Sequence, residues 1–310
     1  MSRAQLTSTV EQNTGGAVSP VVAGKNAVIN GGMDIWQRGT SIAGAASVSN
    51  YTADRWGGYR AGYTYSRQAT GDTTNLPFIQ YCMRAQRNSA NTDTSGVNLF
   101  TSFESSNSIP FAGKTITFSF YARAGANYSP ASSALTARFT TGTGTDQNIL
   151  NGFTGATDTN TVVTLTTTWQ RFATSISCSG STTQIGLQFY NTPVGTAGTN
   201  DYFEVTGIQV EVGSVATPFS RAGGTLSGEL AACQRYYETT DYLLVSSSNS
   251  YAVGYWKVAK RITPTITIGT YGFGSGGVVG ATSYNPTSSF WLTTYNSGSG
   301  QCSLIGTAEL

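Results

Sequence analysis

Residues 26–56 have the sequence NAVINGGMDIWQRGTSIAGAASVSNYTADRW, and the rest of the chain is organised around them. Apolar alternation over residues 27–30 predicts an edge strand, which stops at a pair of glycines. Trp36 follows this turn and is expected to be a buried indole. A polar turn and a loop of small residues then lead to 54–56, where we expect the chain to return to a sheet.

Three blocks of sequence resemble one family. The first combines NGGMDIWQRGTS at 30–41 with YTADRW at 51–56, and it is similar to the N-terminal signature of phage tail-fibre and virion-fibre modules. IQVEVGSVATPF at 208–219 and ELAACQRYY at 229–237 fit the same family. The resemblance covers residues 26–240. It implies a virion protein, assembled in the host cytoplasm, with a β-sandwich resembling carbohydrate-binding domains.

Composition excludes several classes of function. Charged residues make up 10% of the chain and the net charge is +2, so no nucleic-acid partner is expected. Histidine is absent, which removes the usual general base and the commonest metal ligand. The N-terminus lacks an apolar signal-peptide region, and no apolar run reaches about 18 residues, so we expect neither secretion by a signal peptide nor membrane insertion.

The four cysteines, Cys82, Cys178, Cys233 and Cys302, lie far apart in the sequence. They have neither zinc-site spacing nor the density of a disulfide framework. We expect four reduced, buried thiols, which fits assembly in a cytoplasm. No metal and no cofactor are expected, although a structural Ca²⁺ ion held by Asp34 or Asp201 is an alternative.

Apolar side chains alternate with a period of two from residue 76 onward. In the clearest strand, 114–123, Ile116, Phe118 and Phe120 face one way and polar residues the other. The same pattern recurs at 79–86, 135–139, 172–178 and 185–189. Strands with one apolar face predict antiparallel sheets, and their spacing predicts an all-β, jelly-roll-like antiparallel β-sandwich.

The strand at 201–213 changes phase. Phe203 and Val205 are odd-numbered, whereas Ile208 and Val210 are even-numbered. One extra residue keeps all of them on the same face, so the sequence predicts a β-bulge at 206–207.

A short helix is predicted after Gly224, and it is the only helix that we expect. Ser227 is placed to cap it and Glu229 lies in its first turn. The predicted buried face consists of Leu230, Cys233, Gln234 and Tyr237.

These patterns divide the chain into four parts. Residues 1–25 form an N-terminal attachment segment and 26–222 the jelly-roll-like sandwich; 223–240 are a linker with the short helix, and 241–310 a second, smaller C-terminal β domain. A domain of about 70 residues is marginal alone, so we expect a homo-oligomer. The resemblance implies a homotrimer. Because residues 1–25 are polar and without periodicity, we expect them to bind other virion proteins; packing on their own domain is the alternative.

Catalysis is not expected. Glycoside hydrolysis would use a pair of carboxylates about 5–10 Å apart, and the chain has 15 carboxylate side chains. The candidates are more consistent with ion pairs or turn caps than with catalysis; they are Asp34, Asp54, Asp201, Glu204 and Glu211. Serine chemistry would lack a histidine base.

Aromatic residues are the side chains of this sequence that could recognise a ligand, because planar rings stack on sugars. Trp36, Trp56 and Trp169 are expected in the core. Tyr59, Tyr63 and Tyr65 alternate along one segment, as an exposed stripe or as a cross-strand ladder.

The C-terminal domain contains the predicted carbohydrate-binding residues, Tyr284, Trp291 and Tyr295. They lie among Ser, Asn, Gly and Thr, and Trp291 is out of phase with Phe290 and Leu292, which predicts that it points outward. The favoured function is a tail fibre or spike subunit that attaches to a host-surface glycan. A head fibre or capsid decoration protein and, less favoured, a polysaccharide-degrading enzyme are the alternatives.

Overall fold

The computed structural model describes most of the chain, comprising residues 24–45, 49–240, 243–245, 251–273, 278–283, 287–295 and 300–310. The predicted attachment segment lies outside these ranges up to residue 23. The fold is all-β, with two six-stranded antiparallel sheets packed face to face and smaller sheets near the C-terminus. No helix in the described ranges is long and apolar enough to cross a membrane.

The first sheet of the sandwich contains, in order across it, β1 (Ser41–Ala43), β4 (Tyr63–Ala69), β5 (Tyr81–Arg87), β12 (Tyr202–Val212), β7 (Thr115–Ala124) and β10 (Gln170–Ser177). The second sheet contains β2 (Asn50–Tyr51), β3 (Gly57–Tyr59), β6 (Asn98–Ser102), β11 (Gln184–Tyr190), β8 (Ala134–Gly142) and β9 (Thr157–Thr164). The chain passes repeatedly from one sheet to the other. This order confirms the predicted jelly-roll-like sandwich.

The main core lies between the two sheets. Phe118 and Phe120 of β7 lie 5.9 and 4.9 Å, between ring centroids, from Phe189 of β11. Trp56 is fully buried 6.1 Å from the same ring. Burial of each large apolar side chain contributes about 1.5–3 kcal/mol, so the alternating faces seen in the sequence account for much of the stability.

Residues 26–40 do not form the predicted edge strand; they form turns and irregular backbone. Asn30 and Met33 have φ values of 57° and 54°, which a strand does not allow. The side chain of Asn26 supplies hydrogen bonds to distant backbone, donating to the carbonyls of Ile208 and Ser220 at 2.9 Å each. Together with two backbone hydrogen bonds, from Ala27 to the Val210 carbonyl and from Ile208 to the Gly31 carbonyl, these side-chain bonds hold this segment on β12 without a regular strand ladder. Trp36 is partly buried against the core rather than enclosed by it.

The predicted β-bulge is confirmed. The register of β12 on β7 shifts between Thr206 and Gln209, and Gly207 has a φ of 58°. The bulge keeps the apolar residues on both sides of it buried, namely Phe203, Val205, Ile208 and Val210.

Two α-helices occur in the described part of the chain, α1 (Ser105–Ser108) and α2 (Leu226–Gln234), so the expectation of a single helix was wrong. The cap of α2 is Thr225 and not Ser227: the Thr225 hydroxyl accepts a hydrogen bond of 3.1 Å from the Gly228 amide. Thr225 has the extended backbone of an N-cap residue. Tyr237 lies beyond the helix, in a strand.

The C-terminal part forms two small antiparallel sheets. In one, β19 (Gly300–Thr307) pairs with β13 (Tyr237–Thr239), β14 (Leu243–Val245) and β16 (Thr265–Phe273); in the other, β18 (Ser289–Tyr295) pairs with β15 (Tyr251–Tyr255) and β17 (Val278–Ser283). Their small core contains Trp256, Phe290, Cys302 and Leu304. A second, smaller β unit is therefore present, as expected.

The end of the chain returns to the sandwich. The Glu309 carboxylate accepts hydrogen bonds from Arg38, at 2.8 Å, and from Arg55. Burial would lower the pKa of Arg55, but the negative charge of Glu309 outweighs it and raises that pKa. We call Arg38, Arg55 and Glu309 the C-terminal clamp. Both arginines belong to the sequence signature, which thus holds the C-terminal part against the sandwich.

Candidate functional site

The outer face of the second sheet carries polar side chains in rows that cross the strands. In one row, Tyr59 of β3 pairs with Asn98 of β6. In the adjacent row, Gln188 of β11 pairs with Arg138 of β8, which pairs with Asn160 of β9. Successive side chains of a strand point to opposite faces, so these residues face away from the core.

A short 3₁₀ helix, Ile149–Asn151, covers one end of this face. The Ile149 amide donates a 2.9 Å hydrogen bond to the Ser102 hydroxyl, and Ile149 packs with Phe153 on Phe100. This turn leaves an open groove of about 510 Å³ beside it, within the range of about 300–1,000 Å³ typical of ligand sites. The floor and walls consist of Ser49, Tyr59, Asn98, Arg138, Thr140, residues 148–153, Ala156, Asp158 and Gln188.

Arg138 is held in the floor of the groove by its neighbours. Its Nε donates to the Asn160 amide oxygen at 3.0 Å, and Nη2 donates to the Tyr190 hydroxyl at 3.2 Å. Its Nη1 lies 3.4 Å from both the Gln188 amide oxygen and an Asp158 carboxylate oxygen. The guanidinium also lies over the Tyr190 ring, 4.7 Å from its centroid.

The groove has the chemistry of a polyol-binding surface. Tyr59 provides an aromatic ring with a hydroxyl, and Gln188 provides a side-chain amide. Asn98 also lines the groove; its Oδ1 atom is buried and has no hydrogen-bond partner among the described residues. A few polar groups beside an aromatic ring give an extended, hydroxyl-rich ligand both stacking and orientation.

The predicted carbohydrate-binding residues lie elsewhere, in the C-terminal part. Trp291 is on β18 and is 39% exposed, in agreement with the expected outward orientation. Tyr295 ends the same strand, and Tyr284 falls outside the described residues. Trp291 pairs with Val253, which is 47% exposed, so an exposed apolar surface exists there. A glycan site at these three residues stays a prediction.

The three tyrosines of the alternating segment form neither of the two predicted arrangements. Tyr63 and Tyr65 belong to the first sheet and are buried in the core, whereas Tyr59 belongs to the second sheet and lines the groove. The intervening turn transfers the chain between the sheets, so the three rings share neither a stripe nor a ladder.

The candidate carboxylates all make structural contacts. Asp34 accepts from Arg221 at 2.7 Å and Asp201 lies 3.2 Å from Arg87. Glu204 accepts from Arg84 at 2.6 Å and from Arg123 at 2.5 Å. Asp54 accepts from the Gln37 amide at 3.0 Å and Glu211 from the Thr217 hydroxyl at 2.6 Å. Within the described ranges, no group of three or more Cys, Asp or Glu side chains is arranged to hold a metal ion.

The cysteines are free and buried, as predicted. Burial raises the pKa of the Cys233 thiol well above its ordinary value, and it also raises the pKa of Cys82. Thiols in this state are poor nucleophiles, so they act as small apolar side chains of the core.

Most residues that line or support the groove were not predicted from the sequence. Arg138, Gln188 and Tyr190 occupy the outward positions of the same strands whose inward positions predicted the core, so the alternating pattern contains a signal for them. Their meeting with Asn98 and Asp158 depends on strand order and register, which the pattern does not contain.

No protein-family model and no curated protein match the chain. Among solved structures, the enzymatically active domain of tailspike protein 4 from bacteriophage CBA120 is similar, with 12% identity, a TM-score of 0.36, and coverage of 54% of this chain and 21% of that one. A CBM4 structure has 18% identity, a TM-score of 0.36, and coverage of 60% and 100%. The CBM22-2 xylan-binding domain of Paenibacillus barcinonensis Xyn10C has 14% identity, a TM-score of 0.33, and coverage of 51% and 92%. These likenesses are too distant to transfer any property of those proteins to this chain.

Proposed function

We propose that this chain is a structural subunit of a bacteriophage tail fibre or spike whose sandwich binds a glycan on the host surface. The observation that carries the binding role is the open polar groove on the second sheet, with Tyr59 beside the Arg138 network. The sequence blocks at 30–41 and 51–56 support the virion role through their resemblance to fibre modules.

Binding in such a groove combines stacking with hydrogen bonds. A sugar ring stacks on Tyr59, and its hydroxyls bond to the groove's amides and to Asp158. An open groove that excludes little water gives weak binding at each site, and a homotrimer would raise the effective affinity by presenting three grooves to one surface. Residues 1–25 would join the trimer to other virion proteins.

The proposed role is non-enzymatic. Each of the five candidate carboxylates binds an arginine, an amide or a hydroxyl. Glu204, for example, binds two arginines. A glycosidase acid has to give up a proton to the leaving oxygen, which requires a carboxyl group open to substrate. Asp158 lines the groove, but it has no second carboxylate among the other lining residues.

The experiment is a glycan array probed with the full chain and with Tyr59→Ala and Trp291→Ala variants. Phe78→Ala is the matched control, because Phe78 is an exposed aromatic residue (56% exposed) outside the groove. We expect Tyr59→Ala to weaken binding by up to about tenfold, since an aromatic contact contributes about 0.5–1.5 kcal/mol and about 1.4 kcal/mol corresponds to a tenfold change in affinity. Loss of binding only in Trp291→Ala would place the site in the C-terminal part and overturn the groove.

Absence of binding to any glycan, in a correctly folded chain, would overturn the attachment role and favour a head-fibre or decoration protein. Mass determination in solution, on the full chain and on residues 26–310, tests assembly separately. We expect a trimer for both forms and virion binding for the full chain alone. A form lacking residues 1–25 that still joins the virion would contradict the attachment role of that segment.

A further inference from the structure

We propose that the groove selects uncharged oligosaccharides over acidic ones, and that the Arg138–Asp158 pair sets this selection. The inference rests on the proposed glycan-binding function and specifies the class of ligand. It follows from the charges of the lining residues and from the hydrogen bonds that Arg138 already makes.

The groove is electrically balanced. Arg138 is the one cation and Asp158 the one anion among its lining residues, and their closest atoms are 3.4 Å apart. Both side chains are partly exposed, 29% and 40% respectively, so a ligand in the groove reaches both charges. A site built for an acidic sugar would present an excess of positive charge, which this groove lacks.

Arg138 also lacks a free bidentate face. Arginine recognises a carboxylate through two parallel N–H bonds from neighbouring nitrogens. Here Nε is bonded to Asn160, Nη1 faces Gln188 and Asp158, and Nη2 is bonded to Tyr190. An acidic sugar would have to displace these partners, and its negative charge would then lie beside the Asp158 carboxylate.

An uncharged sugar meets no such obstacle. Asp158 already accepts one hydrogen bond, 2.6 Å from the Thr140 hydroxyl, and a carboxylate has capacity for further donors. Sugar hydroxyls supply those donors without disturbing the ion pair. The arginine then acts as a fixed part of the floor, and Asp158 as the residue that determines specificity.

The experiment compares matched oligosaccharides that differ only in charge: galactotriose against trigalacturonate, and cellotriose against its glucuronate counterpart, together with the best array ligand in neutral and uronate forms. Binding is measured by titration at low and at physiological salt. We expect the wild-type chain to bind the neutral member of a pair at least about tenfold more tightly.

Asp158→Asn removes the counter-charge of Arg138 and leaves the groove with a net positive charge. We expect this variant to gain binding to the acidic member by about tenfold, and the gain to shrink at high salt. The double variant Arg138→Gln/Asp158→Asn, which is again neutral, is expected to lose that gain. Asp72→Asn is the control, because Asp72 is a partly exposed carboxylate that does not line the groove.

The outcomes separate the two proposals. If no glycan binds to any form, the proposed attachment function fails, and this inference fails with it. If glycans bind but the wild-type chain prefers the acidic member, the function stands and the inference is wrong. An unchanged preference in Asp158→Asn also overturns the inference, because it shows that this ion pair does not set the selection.

Discussion

Arg38 and Arg55 are nearly enclosed when they bind Glu309, and this makes the C-terminal clamp sensitive to single substitutions. The side chain of Arg55 is 3% exposed and that of Glu309 is 8% exposed. Arg55 further lies over the Tyr236 ring, 3.7 Å from its centroid, and donates to the Ser102 carbonyl. A buried charge without its partner is strongly destabilising. Arg55 therefore depends on Glu309, whereas Arg38 also lies 3.9 Å from the Asp54 carboxylate.

Glu309→Gln is therefore expected to lower the free energy of unfolding by about 3–5 kcal/mol, as is typical when one partner of a buried ion pair is removed. Urea denaturation measures the effect. Asp158→Asn is the control, because its ion pair is partly exposed and should contribute less than about 1 kcal/mol. Equal losses in the two variants would show that the clamp is not a buried charge cluster.

Glu104 gives the chain a defined pH dependence. Burial raises the pKa of Glu104, but hydrogen bonds from Arg235, both 2.9 Å long, and the arginine's charge outweigh it and lower the pKa below its ordinary 4.5. A carboxylate whose pKa is lower in the folded state stabilises that state above its unfolded pKa. This contribution is lost as the pH falls through the folded value.

We expect the stability of the wild-type chain to fall more steeply below about pH 4.5 than that of Glu104→Gln, in which this proton uptake is absent. Glu229 acts in the opposite direction, because burial raises its pKa, so its protonation on acidification favours the folded state. Comparing the two chains by urea denaturation across the acid range cancels the Glu229 effect. Parallel curves would contradict the assignment to Glu104.

At the scale of strands, the β-bulge in β12 depends on one glycine. A Cβ atom at Gly207 would lie 2.7 Å from both Ile79 Cδ1 and Tyr121 Cδ2, and the backbone φ of 58° disfavours any side chain. Gly207→Ala is expected to cost about 1–3 kcal/mol, from backbone strain and the close contacts. Gly180→Ala is the control, since nothing lies within 4 Å of its added Cβ. Thermal denaturation should separate the two variants clearly; similar melting temperatures would contradict the role of Gly207.

The elements that alternation predicted correctly are those whose one face meets the core, such as β7, β8 and β11. Burial alone determines the inward positions of Phe118 or Leu187, so a local pattern is enough. Residues 26–40 could not be predicted in this way, because Asn26 is held by backbone groups more than 180 residues away. The groove could not be predicted for the same reason. Strand pairing brings Asn98 and Arg138 together, although they are distant in the sequence.

At the scale of the whole molecule, several polar contacts join the two β parts. The clamp is one of them; a second is Arg261 with Asp146, at 2.9 Å, and a third is the Asn148 amide, which donates to the Leu310 carbonyl at 2.8 Å. The C-terminal part has only a small core of its own, and such cores rarely stabilise a unit alone. Its stability is therefore expected to come from the sandwich.

This dependence predicts how the chain melts. In calorimetry the wild-type chain should unfold in one transition, because the C-terminal strands stay folded as long as the sandwich holds them. Glu309→Gln combined with Arg261→Gln removes three of the joining ion pairs, the two of the clamp and Arg261–Asp146, so we expect a separate, earlier transition of the C-terminal part. The Trp56 environment in the sandwich core should change only in the later one. Asp158→Asn, which belongs to none of these ion pairs, should keep a single transition. Two transitions in the wild-type chain, or one in the double variant, would contradict the coupling through these contacts.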